Sequence, residues 1–162
     1  MSSQEGVVAS RAGLLQRLAD SPDRLEAAAV EADTPLPDRA WSAGQILGHL
    51  IAVEVQVWQT RLRQVAVEEN PAWTWTEPGF GDGLALTTQE LLAEFRASRA
   101  STLALVGDLD EAGWLRVGTH AVFGTLDVAM LLREAVRHDD EHAVELERRR
   151  SGEPAGDRPP SV

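Results

Sequence analysis

Apolar side chains recur every three or four residues between Glu5 and Ala32, a spacing that predicts an amphipathic helix. They are Val8, Leu14, Leu15, Leu18, Leu25, Ala28 and Ala29. Ser21-Pro22-Asp23 interrupts the pattern, because a proline inside a helix removes one backbone N–H. Pro22 therefore either kinks this helix or begins a second one with Ser21 as its N-cap. Thr34-Pro35-Leu36-Pro37 then predicts a non-helical connector.

A second helix is predicted from Ser42 to about Val67. Ser42 stands three residues before Gln45, which is the spacing of a capping box, and Trp41 and Ile46 occupy the positions of a hydrophobic staple. An apolar stripe then follows one face of the helix through Ile46, Leu50, Val53, Val57 and Trp58. At about 1.5 Å per residue, this helix would be a rod of roughly 35–40 Å.

Two further helices are predicted in the second half of the chain. Thr87 and Glu90 form another capping box at the start of the third helix. Its buried face is formed by Leu91, Leu92, Phe95, Thr102, Leu103, Val106 and Leu109. The fourth helix is predicted to open with Thr125 as its cap and Asp127 in its first turn, and to end among Arg148–Arg150, where cations complement the helix dipole.

Two irregular segments separate these helices, and neither shows a convincing strand pattern. The segment from Glu69 to Leu86 is rich in proline and glycine and carries Trp73, Trp75 and Phe80. A loop of this length either covers a functional site or plugs one end of the core with its aromatic side chains. The second loop, Asp110 to Gly124, holds Trp114, His120 and Phe123.

The predicted fold is therefore all-α, a four-helix bundle with a long loop between its second and third helices. Residues 1–150 are predicted to form one domain, because a chain of 162 residues can bury a single hydrophobic core without stabilising disulfides or metals. Residues 151–162 contain three prolines and no periodicity, which predicts a disordered C-terminal tail.

Composition narrows the possible partners. The chain has 15 basic residues, all of them arginine, and 26 acidic ones, for a net charge of −11. This excess of anions disfavours nucleic acids and anionic membranes, although a local arginine cluster can still bind a small anion. The absence of cysteine excludes disulfides and thiolate sites. No signal peptide is evident, and the longest uncharged run, Ala40–Val53, is too short to span a bilayer, so a cytoplasmic protein is expected.

Three of the four histidines fall on predicted core-facing positions. His138 and His142 are four residues apart and so share one helix face. They continue the apolar stripe of the last helix, which consists of Val128, Leu131, Leu132, Ala135 and Leu146. His49 lies beside Ile46 and Leu50 on the second helix. Three inward-facing imidazoles are costly to bury unless their nitrogens find partners.

A divalent cation would provide one partner for all three rings. Three protein ligands and one open position are typical of a catalytic zinc site, whereas structural sites are usually closed by four ligands. Imidazole also accepts nickel, iron and copper. The alternative is that these histidines are hydrogen-bonded core residues, or a solvated pair on an acidic helix. The zincin motif is not present, because Asp139 stands where that chemistry needs glutamate.

Four further residues are candidates for supporting roles. Glu54 could orient a ligand or act as a base, or it could face solvent, which the pattern slightly favours. Asp139 and Glu141 flank the histidine pair and could accept the remaining imidazole N–H. His120 either fixes a turn between Gly118 and Gly124 or lies near the metal.

Three motifs together resemble the DinB/YfiT-like family of metalloenzymes. They are the segment Trp41–Leu50 followed by Glu54, the segment His120–Gly124 leading into Thr125-Leu126, and His138-Asp139-Asp140-Glu141-His142. The resemblance implies a four-helix bundle with a non-simple helix order and frequent homodimers. It also implies a divalent metal, often nickel or zinc, held by His49, His138 and His142. His120 matches a recurrent family position that is not ordinarily a ligand.

Characterised relatives in that family use low-molecular-weight thiols, so the resemblance implies a thiol-dependent transferase or a hydrolase in which the metal activates a thiol or water. A thiol cofactor's carboxylates would need cationic partners. The candidates are Arg61, Arg96, Arg99, Arg133 and Arg137, each of which could instead pair with neighbouring acids. The competing hypothesis is a non-catalytic, dimeric binding or stress-response module with a structural or vestigial metal. The segment around Trp73 and Trp75 matches no family feature, so the resemblance does not assign a substrate.

Overall fold

The computed structural model describes residues 3–29 and 41–151. The helices are α1 (Ser3–Ala29), α2 (Ala43–Val53), α3 (Thr60–Val67), α4 (Thr88–Gly107), α5 (Glu111–Trp114) and α6 (Val128–Ser151). A π-helical segment, Glu54–Gln59, joins α2 to α3 without interruption. These three pieces form one long rod, so the bundle consists of α1, the α2–α3 rod, α4 and α6.

The core lies between these four rods. Helix α1 packs on α6 and α4, while α2 and the π segment pack on α4 and α6. The apolar contacts form two clusters, one around Leu18, Val57, Trp58 and Leu131 and the other around Leu25, Ile46, Phe95 and Leu146. The predicted four-helix bundle is therefore confirmed.

Both predicted capping boxes are present. The Ser42 hydroxyl accepts from the Gln45 amide at 3.1 Å, and the Gln45 side chain accepts from the Ser42 amide at 2.7 Å. Thr87 and Glu90 make the same reciprocal pair at the start of α4. The π segment was not predicted. It changes the helical register between the half of the rod that carries His49 and the half that carries Arg61.

Helix α1 continues through Pro22, so the prediction of a second helix starting there is wrong. A proline at this position cannot donate to the Leu18 carbonyl one turn earlier. Arg99 supplies the missing donor, because its Nη1 lies 2.9 Å from that oxygen. Ser21 does not cap a helix but donates its hydroxyl to Asp139 at 2.6 Å. The predicted Thr34–Pro37 connector and the tail from residue 152 lie outside the described residues.

The two segments predicted to lack strands form a small sheet, which corrects that prediction. Strand β1 (Ala72–Trp73) pairs in parallel with β2 (Val117–His120), which pairs antiparallel with β3 (Gly124–Asp127). Strands of two and four residues leave almost no periodicity to detect, and β1 meets a partner far along the chain. Gly118 is required here, because a Cβ at this position would overlap the Trp73 ring.

Helix α6 begins at Val128 rather than after Thr125. Thr125 is a residue of β3, and Asp127 provides the cap by accepting from the Met130 amide at 2.7 Å. Pairing with β2 keeps the backbone extended as far as Asp127, so the helix cannot start earlier. Over the described part of the chain, no helix combines the length and apolar character needed to cross a membrane.

Candidate metal centre

His49 on α2 and both His138 and His142 on α6 meet inside the bundle. All three side chains are buried, and one ring nitrogen from each lies within 4.8 Å of those of the other two. The ring centres of His138 and His142 are 4.6 Å apart, and that of His49 is 5.4 and 5.3 Å from them. Two separate helices thus bring the three predicted residues to one point.

This donor set fits a divalent cation. Three imidazole nitrogens are suitable ligands for zinc or nickel. The three ring nitrogens lie within 4.8 Å of one another, and a divalent ion between them would satisfy all three lone pairs. His49, His138 and His142 are the residues that would hold it.

Hydrogen bonds fix the proton position on two of these rings. His49 Nδ1 lies 2.9 Å from the Pro78 carbonyl, and His142 Nδ1 lies 2.9 Å from a Glu145 carboxylate oxygen. Both oxygens can only accept, so Nδ1 carries the hydrogen and the lone pair of each neutral ring is on Nε2. A histidine that binds a metal commonly donates its other ring N–H to a carboxylate or a carbonyl, which fixes the orientation of the ring.

Glu145 was missed by the sequence analysis, which named Asp139 and Glu141 for this role. The signal was its position three residues after His142, since side chains at that spacing share a helix face. Glu141 instead pairs with Arg137 at the surface.

The segment between β1 and α4 covers the cluster. The carbonyl of Pro78 is hydrogen-bonded to His49. Phe80 packs edge-on against Trp41, with 4.5 Å between the ring centres, and the ring centres of Trp41 and His49 are 4.8 Å apart. Trp41 also lies parallel to the His142 ring at 6.4 Å. Trp73, the last residue of β1 and part of the predicted loop Glu69–Leu86, belongs to the apolar cluster around Leu18 and Trp58. The segment therefore serves both predicted purposes, because it fills the core at one end and covers the histidines at the other.

Two glycines on α2 let this cover sit close to the helix. A Cβ on Gly48 would overlap the carbonyl oxygen of Phe80, and one on Gly44 would overlap the carbonyl oxygen of Gly83. Both neighbours are backbone atoms, which cannot swing away as a side chain can. The position of the cover thus depends on the absence of a side chain immediately before His49.

Glu54 is buried, so its predicted exposure to solvent is wrong. Its two carboxylate oxygens accept from Arg99 Nε and Nη2 at 2.8 and 2.9 Å, and one also accepts from the Thr102 hydroxyl at 2.5 Å. Arg99 Nη2 additionally donates to Asp139 at 2.7 Å. These carboxylates thus form hydrogen bonds with a shared guanidinium.

Burial raises the pKa of Asp139, and the nearby Glu54 carboxylate adds to this effect, while the Arg99 guanidinium opposes it. Burial acts to lower the pKa of Arg99, but the charges of Asp139 and Glu54 and their hydrogen bonds outweigh it and raise the pKa, so the guanidinium remains charged. The charged Arg99 side chain therefore forms ion pairs with both Glu54 and Asp139 at the centre of the bundle.

His120 is buried on β2 and fixes the turn to β3. Its Nδ1 accepts from the backbone amides of Val122 and Phe123 at 3.0 and 3.3 Å. The turn-fixing role is thus present, and His120 is not a member of the three-histidine cluster. Burial lowers the pKa of His120, and the positive charge of Arg61 lowers it further.

The five candidate arginines have different environments. Arg96 binds Asp23 and Glu26 at the surface, and Arg137 pairs with two acids of its own helix. Arg133 is exposed, and Arg99 is occupied by Glu54 and Asp139. Only Arg61, among these five, is buried without an ion pair to a described residue.

Comparison with solved structures finds the same fold in YfiT from Bacillus subtilis, described as a probable metal-dependent hydrolase with an unusual four-helix bundle topology. The match has a TM-score of 0.66 at 20% identity, and covers 95% of this chain and 91% of YfiT. A search of curated proteins finds no match. The sequence model of the DinB superfamily matches residues 7–146 of this chain, and the chain therefore belongs to that superfamily.

Proposed function

We propose that this protein is a metal-dependent hydrolase in which His49, His138 and His142 hold a divalent cation. The observation that carries this proposal is the burial of three imidazole donors within 4.8 Å of one another. The description of YfiT, which shares the fold, as a probable metal-dependent hydrolase supports the same reaction class.

A divalent metal held by three neutral ligands would act as a Lewis acid and lower the pKa of a bound water or thiol. The protein's own residues provide the conditions for this chemistry. Pro78 and Glu145 orient two of the rings, and Trp41 and Phe80 shield them from bulk water. Arg99 forms buried ion pairs with Glu54 and Asp139, so neither of these carboxylates lacks a cation.

Zinc and nickel are the metals that we propose, because both accept imidazole nitrogen. A low-molecular-weight thiol in place of water would make the enzyme a thiol S-transferase, which is the alternative form of the same proposal. The homodimer and the cytoplasmic location stay predictions.

The first experiment is elemental analysis of protein purified without an affinity tag. We expect close to one divalent metal per chain, and little metal in a His142→Ala variant of the same preparation. Metal affinity should also fall below about pH 6.5, where imidazole is protonated. Unchanged metal content in His142→Ala would overturn the ligand assignment.

The second experiment separates the enzyme from a non-catalytic module. Loaded and chelated protein are compared for hydrolysis of an ester panel, and for transfer of glutathione, mycothiol or bacillithiol to an electrophilic probe. Turnover that chelation abolishes while circular dichroism stays unchanged supports the enzyme. Chelation that melts the fold, with no turnover in either assay, supports a structural metal instead.

A further inference from the structure

Arg61 is a buried cation that no described acid neutralises. Its side chain is 3% exposed. One nitrogen, Nη2, donates to the Thr74 carbonyl at 3.2 Å, while Nη1 is buried without a hydrogen-bond partner among the described residues. Burial lowers its pKa to about 10, so the guanidinium is still charged at neutral pH. A charge kept in such a position is expensive unless something binds it.

Two tryptophan rings define the surroundings of this charge. The guanidinium carbon lies 5.9 Å from the centre of the Trp58 ring and 5.6 Å from that of Trp73. These cation–π contacts stabilise the charge in part but leave Nη1 without a hydrogen-bond partner among the described residues. The environment therefore offers directed hydrogen-bond donors inside an apolar wall, as ligand sites commonly do.

His120 adds a second donor to the same region. Because its Nδ1 accepts from two backbone amides, the neutral ring carries its hydrogen on Nε2. This Nε2 is buried and makes no hydrogen bond to a described residue. Pairing of β1 with β2 sets His120 opposite Trp73, next to the Thr74 carbonyl that accepts from Arg61 Nη2. A single carbonyl, that of Thr74, thus faces both groups and cannot also satisfy Arg61 Nη1, so an anion would supply the missing acceptor.

The position of these donors links them to the three-histidine cluster. Trp58 contacts Arg61 on one side and lies 6.2 Å from the His138 ring. With the 5.9 Å step to Arg61, this places the guanidinium within about 12 Å of His138. The covering segment also connects the two places, since Thr74 accepts from Arg61 and Pro78 accepts from His49.

We propose that Arg61 and His120 form a recognition site for one carboxylate group of a small-molecule ligand. A monoanion matches the single charge of Arg61, whereas a phosphate dianion would bring a second charge into an apolar surrounding. Thr74, whose carbonyl accepts from Arg61, is exposed to solvent. The assignment of this ligand as the substrate rests on the proposed function; the carboxylate site does not.

The test is a titration of the full-length protein, metal-loaded and metal-stripped, with acetate, acetamide and inorganic phosphate, followed by NMR of the tryptophan indole N–H signals. Acetate has few atoms, so a Kd of about 1–10 mM is expected. Acetamide and phosphate should bind at least about tenfold more weakly, since one lacks the charge and the other exceeds it. Equal binding of acetate and acetamide, tighter binding of phosphate, or no saturable acetate binding would overturn the site.

Arg61→Met is compared with Arg63→Met, which removes one exposed arginine from the same helix. Acetate affinity should fall at least about tenfold in the first variant and stay unchanged in the second. Arg61→Lys should be intermediate, because it keeps the charge without the guanidinium fork. Equal affinities for Arg61→Met and Arg63→Met would reject the proposal.

Thermal unfolding without ligand gives an independent readout. If Arg61 is kept for binding, replacing it with methionine should leave the Tm unchanged or raise it, since an uncompensated buried charge is removed. A large fall in Tm would assign the residue a structural role. Because acetate binding is measured on metal-stripped protein as well, a missing metal and a missing carboxylate site remain distinguishable.

Discussion

Arg99 and Glu54 form a two-pronged ion pair at the centre of the bundle, with both side chains 1% exposed. Arg99 Nε and Nη2 lie 2.8 and 2.9 Å from the two Glu54 oxygens, and Nη2 also reaches Asp139, the neighbour of His138. The same guanidinium donates to Leu18 of α1. Arg99 thus ties the helix that carries His49 to the helix that carries the other two histidines.

Replacing Arg99 with methionine should lower the free energy of unfolding by about 3–5 kcal/mol, because two buried carboxylates lose their cation. Urea denaturation at neutral pH measures the change. Adding Glu54→Gln and Asp139→Asn to the same variant should recover part of the loss, since the uncompensated charges are then gone.

The matched control is Arg96→Met, one turn earlier on α4. Arg96 binds Asp23 and Glu26 with partly exposed side chains, so its loss should cost less than about 1 kcal/mol. If the two variants lost similar free energies of unfolding, the buried ion pairs of Arg99 would contribute no more to stability than the surface pairs of Arg96.

Glu145→Gln should weaken metal binding about 10- to 100-fold, because glutamine is a weaker acceptor for the Nδ1 hydrogen of His142. Glu141→Gln is the control on the same helix. Glu141 pairs with Arg137 and should not affect metal affinity. Competition with a chelator of known affinity measures both variants, and equal affinities would argue against support of the ligand by Glu145.

Gly48→Ala and Gly13→Ala make the same change in two helix interiors and should have opposite effects. Gly13 has open space, so alanine should stabilise α1 by about 0.5–1 kcal/mol. At Gly48 the new methyl group meets the Phe80 carbonyl, and we expect a loss of about 1–3 kcal/mol that outweighs the helix propensity gained. Metal affinity should fall with it, because the Pro78 carbonyl moves away from His49. If Gly48→Ala stabilised the protein as Gly13→Ala does, the segment that carries Phe80 would have to move away from α2 at little cost.

The sequence was sufficient to predict the bundle and the meeting of His49, His138 and His142, because these depend on helical spacing and local caps. The features that it did not predict depend on partners far along the chain. The two-residue strand at Ala72 is formed by pairing with β2, and the burial of Glu54 depends on Arg99 from another helix. Pro22 stays inside α1 for the same reason, since Arg99 bonds to the carbonyl that proline leaves without a donor.

His120 should make the protein less stable in acid. Its pKa is lowered by burial and then by Arg61, so below about pH 6.5 the unfolded chain binds a proton at this ring that the folded protein does not. The stability is therefore present above that pH and is lost as the pH falls towards the folded-state pKa, at no more than about 1.4 kcal/mol per pH unit. In a His120→Asn variant, whose side-chain oxygen can still accept from the turn, this part of the loss should disappear. Urea denaturation of metal-free wild-type and variant proteins from about pH 7 to pH 5 measures the two slopes, and parallel curves would contradict the assignment.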